Sequence, residues 1–206
     1  MISKFSHHSV ADWDFALPPT RYNLDNTRFV SPPTSLRTYH VGGGSAYHTV
    51  LCRVPSTLCL PEGEIRTWRW HILHIGNLFT FRNQAALGTA DYLNCYLILV
   101  STTNTLLRRY VGGGPTDYGM GPGGCLPSTW QHYRVLYWNG TNPAGDEALN
   151  VELYLEVTGN WVKQGNTGYD TANLYKDSAT NRSGLVPQVR DPEFAWHDDT
   201  EIWGPA

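Results

Sequence analysis

The sequence predicts an all-β protein, a two-sheet antiparallel β-sandwich of the jelly-roll type with no long helices. The main observation is a period of two in the apolar residues. It is clearest in residues 149–157, whose odd positions are all apolar and whose even positions are Asn150, Glu152, Tyr154 and Glu156. Such alternation is typical of a strand with one buried and one wet face. Many such short segments, separated by Gly and Pro, favour a sandwich or a barrel.

Strand patterns recur along most of the chain. They cover residues 46–54, 65–74, 78–82, 92–100, 106–111, 130–138, 149–157 and 201–203. The Gly/Pro-rich stretch 112–128 and the polar stretch 164–192 are predicted as long surface loops, which are either functional or passive connections. Asn139-Gly140 predicts a tight turn. At 206 residues we expect an N-terminal arm over 1–30 and a single sandwich domain over 31–206.

The composition excludes several classes of partner. Charged residues make up 16% of the chain, against roughly 25% in an average soluble protein, while 8 Trp and 12 Tyr add aromatic surface. A net charge of -3 without a long basic cluster indicates no nucleic-acid partner. The chain has no run of about 18 apolar residues, which indicates no membrane insertion. Its start lacks the apolar run of a signal peptide, so we expect synthesis in a host cytoplasm.

Three segments, in this order, resemble the laminin-G-like branch of the concanavalin A-like lectin/glucanase jelly rolls. They are residues 129–140, with a Trp-x-His strand, residues 149–161, and residues 197–203, with an Asp-Asp pair. Residues 31–37 are similar to the opening strand of many jelly-roll carbohydrate-binding modules. The resemblance implies two curved antiparallel sheets. It does not decide the function, because one sandwich fold serves many functions.

Glu152 and Glu156 are the carboxylate pair that this resemblance singles out. Glucanases of the superfamily use a Glu-x-Asp-x-Glu strand, but here the central position is Tyr154. Retaining glycosidases need carboxyl groups about 5–5.5 Å apart, whereas residues i and i+4 of a strand lie about 13 Å apart. We therefore predict no catalytic residue and a protein that is not an enzyme.

Asp198 and Asp199 are the candidate metal ligands. The resemblance implies that an Asp of the closing strand helps to bind a structural calcium, which needs 6–8 oxygen ligands. The alternative is an ordinary carboxylate pair with no ion, and no other cofactor is expected. The cysteines Cys52, Cys59 and Cys125, together with Cys95, contain no C-x-x-C pair and are predicted as thiols, with a Cys52–Cys59 bridge as the alternative.

A mixed aromatic and polar set is the candidate contact surface for a glycan or a protein partner. Its members lie opposite the strongest apolar sets, and they are Tyr92, Asn94, Tyr96, Asn150, Glu152 and Tyr154. Aromatic rings stack on sugar C–H surfaces, while amides and carboxylates bond hydroxyls. The same residue types are enriched in protein interfaces. A third interpretation is a wet sheet face without a ligand.

Two functional classes follow. The first is a non-enzymatic structural or adhesive protein on a particle surface, in particular a bacteriophage virion component such as a head-decoration or fibre-associated protein. Its partners would be other virion proteins or further copies of itself. The low charge, the absence of a secretion signal and the long Gly/Pro loops favour it. The alternative is a lectin-like carbohydrate-binding module with a glycan partner.

Overall fold

The computed structural model describes residues 3–5, 22–39, 48–49, 52–53, 60–71, 75–84, 93–123, 126–176, 181–185, 188–189 and 194–204. Every regular element in these ranges is a strand. The strands are β1 Ser3–Phe5, β2 Tyr22–Asp25, β3 Ser35–Tyr39, β4 His48–Thr49, β5 Cys52–Arg53, β6 Gly63–His71, β7 Ile75–Asn83, β8 Cys95–Ser101, β9 Thr105–Val111, β10 Gly114–Gly121, β11 Gln131–Thr141, β12 Glu147–Val157, β13 Asn160–Asp170, β14 Arg182–Leu185, β15 Gln188–Val189 and β16 Phe194–Trp203.

The strands form two antiparallel sheets that face each other across one core, so the predicted β-sandwich is confirmed. The larger sheet has the order β13-β12-β11-β6-β16-β3-β2, with β1 also paired to β16. The smaller sheet has the order β10-β9-β8-β7-β14-β5, and β4 and β15 form a separate pair. Among the described residues, no helix is long and apolar enough to cross a membrane.

In β12 the apolar odd positions face the core, as the alternation in the sequence predicted. Leu149, Val151 and Leu153 have no exposed surface and pack into the core, while Val157 is exposed beside the following turn. Their partners in the core come from both sheets, including Val135 and Phe79. The even positions of β12 therefore point away from the smaller sheet.

The two predicted long loops contain strands, so both loop predictions are wrong. Residues 112–128 include β10, which pairs with β9 through a turn at Gly112-Gly113, whose φ angles are 55° and 83°. Residues 164–192 include most of β13 and all of β14 and β15. A turn at Thr158-Gly159 joins β12 to β13. Both are two-residue turns with two left-handed residues, the geometry that joins twisted strands most directly. Edge strands β10 and β13 carry few apolar side chains, so no apolar period in the sequence indicated that they are strands.

Asn139-Gly140 is not a turn, because β11 continues to Thr141. The chain reverses instead where Asn142 N bonds Asp146 O at 2.9 Å. Asn139 is retained in the strand by Glu62, which accepts from its backbone and side-chain nitrogens, and by Arg82, which donates to its side-chain oxygen.

Several predictions concern segments that the structure describes only in part. β1 and β2 lie within residues 1–30 and pair with the larger sheet. The division between an arm over 1–30 and a domain over 31–206 stays a prediction. Of the predicted strand 46–54, the structure describes β4 and β5. Tyr92, Cys59 and Cys125 lie outside the described residues, whereas Cys95 is buried.

Candidate functional site on the outer face of the larger sheet

The face of the larger sheet that points away from the core carries a row of charged residues. Ile65, Val135 and Leu153 point inward, so the residues beside them point outward. The strand register places one outward residue from each of five strands in line. This charged row consists of Lys163, Tyr154, Arg134, Arg66 and Glu201, on β13, β12, β11, β6 and β16.

Ion pairs along the charged row fix its side chains. Arg134 Nη2 donates to Glu64 Oε2 at 2.8 Å, and Arg66 donates to the other oxygen of the same carboxylate. Lys163 Nζ donates to Glu152 Oε1 at 2.5 Å. Three cations therefore oppose Glu64, Glu152 and Glu201, and these groups balance in formal charge.

The hydroxyl of Tyr154 belongs to this network. It donates to Glu152 Oε2 at 2.6 Å, and the guanidinium of Arg134 lies 5.5 Å from its ring. Burial and the bond to Glu152 raise the pKa of Tyr154 to about 12. Burial alone would raise the pKa of Glu152, but the bonds from Lys163, Tyr154 and Thr167 outweigh it and lower this pKa. Tyr154 thus keeps its proton and Glu152 its charge.

An aromatic cluster of Trp68, His132 and Trp161 adjoins the charged row. The rings of His132 and Trp68 stack with centroids 4.5 Å apart and planes at 10°, and Trp161 lies 4.8 Å from His132. His132 Nδ1 lies 2.5 Å from Glu156 Oε2. Burial lowers the pKa of His132 despite this carboxylate. Because a carboxylate only accepts, neutral His132 carries its proton on Nδ1 and leaves Nε2 basic.

A cleft of about 440 Å³ opens at the other end of the face. This volume lies within the roughly 300–1,000 Å³ that is usual for small-molecule sites. Its lining residues are Glu62, Gly63, Glu64, Arg134, Leu136, Tyr137, Trp138 and Gly204. Glu64 and Arg134 belong to both the cleft and the ion-pair network, so the cleft and the charged row form one continuous surface.

The residues of the predicted contact surface separate into two places. Asn150, Glu152 and Tyr154 lie together on the outer face of β12, with Asn150 buried. Tyr96 instead lies in the core with no exposed surface, where its hydroxyl donates to Asp170. Asn94 lies immediately before β8 and accepts a hydrogen bond from Gly112 N. β8 is a central strand buried on both faces, so its polar alternation did not indicate exposure.

Asp198 and Asp199 attach the chain near residue 30 to the sheet. The buried carboxylate of Asp198 accepts from the backbone nitrogens of Val30 at 2.7 Å and Ser31 at 2.8 Å, and Ser31 Oγ donates to Asp199 at 2.9 Å. Burial raises the pKa of Asp198. No set of three or more His, Cys, Asp or Glu side chains could bind a metal within the described ranges.

The calcium prediction at Asp198 and Asp199 stays a prediction. If calcium binds there, a chelator should lower the melting temperature and added calcium should restore it. Identical melting curves with and without chelator would mean that the two carboxylates act through their hydrogen bonds alone.

Sequence reasoning missed the outward residues of the neighbouring strands, Arg66, Trp68, Arg134, Trp161 and Lys163. Their exposure could be expected from alternation beside Ile65 and Val135. Their assembly into one surface could not, because the strand order joins segments that are distant in the chain.

No protein-family model and no curated protein sequence matches the chain. Solved structures do share its fold. A marine PL-14 alginate lyase from Aplysia kurodai matches with a TM-score of 0.57 at 12% identity, covering 90% of this chain and 88% of its own. An endo-β-1,4-glucuronan lyase from the fungus Trichoderma reesei matches at 0.51 and 9%, covering 99% and 95%. The carbohydrate-binding module CBM66 from Bacillus subtilis matches at 0.51 and 9%, covering 94% and 92%.

These comparisons contradict the main functional prediction. A virion structural protein finds no support among these structures, which are polysaccharide lyases and a carbohydrate-binding module. The prediction that the protein is not an enzyme is contradicted as well, because the lyases share this fold over nearly their whole length. At such low identity the similarity shows the fold alone. The chain is a β-sandwich jelly roll, consistent with the concanavalin A-like architecture.

Proposed function

We propose that the outer face of the larger sheet binds a polysaccharide. The observation that carries the proposal is the continuous surface formed by the aromatic cluster, the charged row and the cleft. Half-buried Trp68 and Trp161 offer ring surface to sugar C–H faces, and the paired charges beside them offer donors and acceptors to hydroxyls. Because ion pairs already fix these side chains, little side-chain freedom is lost on binding.

We further propose that the polysaccharide carries carboxylates, which would compete with Glu64 and Glu152 for the cations of the charged row. Arg66 and Arg134 present planar guanidinium groups, which match carboxylates in two-point geometry, and Lys163 adds an exposed ammonium. The named polymers of the two lyases, alginate and glucuronan, are both acidic, and the fold is the same. The laminin-G-like assignment remains part of this proposal, supported by the Trp-x-His strand at 130–132.

Calorimetric titration tests the binding. We expect the protein to bind alginate or polyglucuronate more tightly than a neutral β-glucan. Trp161→Ala should weaken binding roughly tenfold, the equivalent of about 1.4 kcal/mol, because it removes a stacking surface beside His132. Val162→Ala is the matched control, since Val162 is exposed on the same strand but is paired with the inward Leu155. Equal losses in both variants, or no binding to any glycan, would refute the proposal.

Cleavage by β-elimination is the second candidate, favoured by the position of Tyr154 between Lys163 and Arg134. These two cations would bind the uronate carboxylate. Neutral His132 lies two residues from Arg134, or about 7 Å along β11. Its Nε2 would accept the proton at C5. The C5–H electrons would form the C4=C5 double bond as the C4–O4 bond breaks. The leaving O4 would take the proton of Tyr154.

The unsaturated product absorbs ultraviolet light, so a spectrophotometric assay on a polyuronate tests this candidate. Tyr154→Phe should abolish product formation while binding persists. The pKa of His132 lies below its ordinary 6.5, so the rate should stay constant down to pH 6.5 and fall in more acidic solution. A protein that binds polyuronate but forms no unsaturated product is a binding module and not a lyase.

A further inference from the structure

We infer that the outer face binds the end of a polysaccharide chain and not its interior, an inference that rests on the proposed function. Residues 26–34, here called the wall segment, cover one part of this face. Beneath the wall segment lie Trp70 on β6 and Trp196 on β16, which are paired in the register. Trp70 points outward, because it is separated from Arg66 and Trp68 by even numbers of residues along β6. Trp70 and its partner Trp196 therefore belong to the face that carries the site.

Arg28 of the wall segment covers both tryptophans. Its guanidinium carbon lies 4.1 Å from the ring centroid of Trp70 and 5.2 Å from that of Trp196. The two indoles contact each other edge to face at 4.8 Å and are only 8% and 5% exposed. A cation over an indole face occupies the surface on which a sugar ring would stack. Trp68 and Trp161 keep part of their surface exposed, whereas Trp70 and Trp196 are almost fully covered.

The wall segment is fastened to the sheet at several points. Asp198 accepts from the backbone nitrogens of Val30 and Ser31, and Ser35 Oγ donates to the carbonyl of Arg28 at 2.5 Å. At its start, Thr27 N donates to Asp25 Oδ1 at 2.7 Å. These bonds come from β16, β3 and β2, so Arg28 is a fixed boundary of the face.

The row of the aromatic cluster, from Trp161 through His132 to Trp68, spans β13, β12, β11 and β6, which is three strand intervals or about 14 Å. A polysaccharide that crosses these strands towards β16 beside Trp68 meets the wall segment once it has passed β6. One that runs along β6 from Glu64 also meets it, at Trp70. The first path ends at Val30 and Ser31, whose backbone nitrogens bond Asp198 beside Trp68. The second path ends at Arg28, whose guanidinium can donate to the last sugar residue. For a polysaccharide that stacks on the aromatic cluster, the geometry therefore fits a chain terminus.

The stoichiometry of binding separates terminal from internal recognition. Polyuronates of several defined lengths would be titrated by calorimetry, with concentrations expressed in chains. We expect one protein bound per chain at every length. A number of bound proteins that rises in proportion to chain length would overturn the inference while leaving the proposed function intact. No binding at any length would overturn both.

Arg28→Ala provides the matched test, with Phe29→Ala, an exposed neighbour, as control. Removing the guanidinium should uncover Trp70 and allow a polymer that runs along β6 to continue. The variant should therefore bind long polymers in more than one copy per chain, while Phe29→Ala keeps one copy. Melting curves of both variants establish that the fold is intact. One copy per chain in a folded Arg28→Ala variant would contradict the role of Arg28 as the boundary.

Discussion

Leu153→Asp should abolish cooperative folding. Leu153 has no exposed surface and lies at the centre of the apolar row of β12, opposite Val135. An aspartate there would lack a partner in an apolar core, at a cost of several kcal/mol. The whole stability of a domain is typically about 5–15 kcal/mol, so a large part of it would be lost. Thermal unfolding followed by circular dichroism measures the effect.

Glu152→Ala is the control for the register, because Glu152 is adjacent in sequence and points to the opposite face. Its carboxylate pairs with exposed Lys163, and such surface pairs contribute about 1 kcal/mol or less. We therefore expect a small loss of stability. Similar losses in the two variants would mean that the inward and outward positions of β12 are wrongly assigned.

The strands with one buried face could be predicted from the sequence, and the edge strands could not. β12 alternates because Leu153 faces the core and Glu152 faces solvent. β10 and β13 are the edge strands of their sheets, where polar side chains and glycines leave no apolar period. Gly112-Gly113 therefore resembled the start of a loop, although it is the turn of a hairpin.

The virion hypothesis depended in part on those same segments. The hypothesis requires long Gly/Pro loops that bind neighbouring subunits, but residues 114–121 form a paired strand. Asp117, in the middle of that strand, forms an ion pair with Arg108 across the hairpin at 2.5 Å. The described part of this segment is therefore not the free loop on which the assembly hypothesis relied.

The candidate site was predictable on one strand only. Asn150, Glu152 and Tyr154 could be placed on one face because they share the parity of β12. Arg134 and Arg66 complete the site through the pairings of β12 with β11 and of β11 with β6. The second of these pairings joins segments about 70 residues apart in the chain, such as Arg134 and Glu64. Local periodicity contains no information on such pairings.

Asp170→Ala should cost about 3–5 kcal/mol, the usual loss when one partner of a buried ion pair is removed. Asp170 is 1% exposed and lies between the two sheets. It accepts from the hydroxyl of Tyr96 at 2.5 Å, from the hydroxyl of Tyr118 at 2.7 Å and from Arg109 Nη1 at 2.7 Å. Its loss would leave a guanidinium and a buried phenol without this acceptor.

The dependence of stability on pH gives this prediction its sharpest test. Burial alone would raise the pKa of Asp170, but the hydrogen bonds from Tyr96, Tyr118, Arg109 and Ala172 outweigh it, so the pKa lies below the ordinary 3.8. The ionised form is therefore favoured in the folded protein. Its contribution is complete above pH 3.8 and is lost as the pH falls through the lower folded pKa.

Urea unfolding of the wild type and Asp170→Asn, from neutral pH to below pH 3.8, measures that contribution. Asp170→Asn keeps the shape of the side chain and removes the charge. We expect the difference in unfolding free energy between the two proteins to be largest at neutral pH and to shrink below pH 3.8. Asp117→Asn, which alters a 41% exposed partner of Arg108, should change stability little at any pH. A difference between wild type and Asp170→Asn that stays constant with pH would show that the charge of Asp170 does not stabilise the fold.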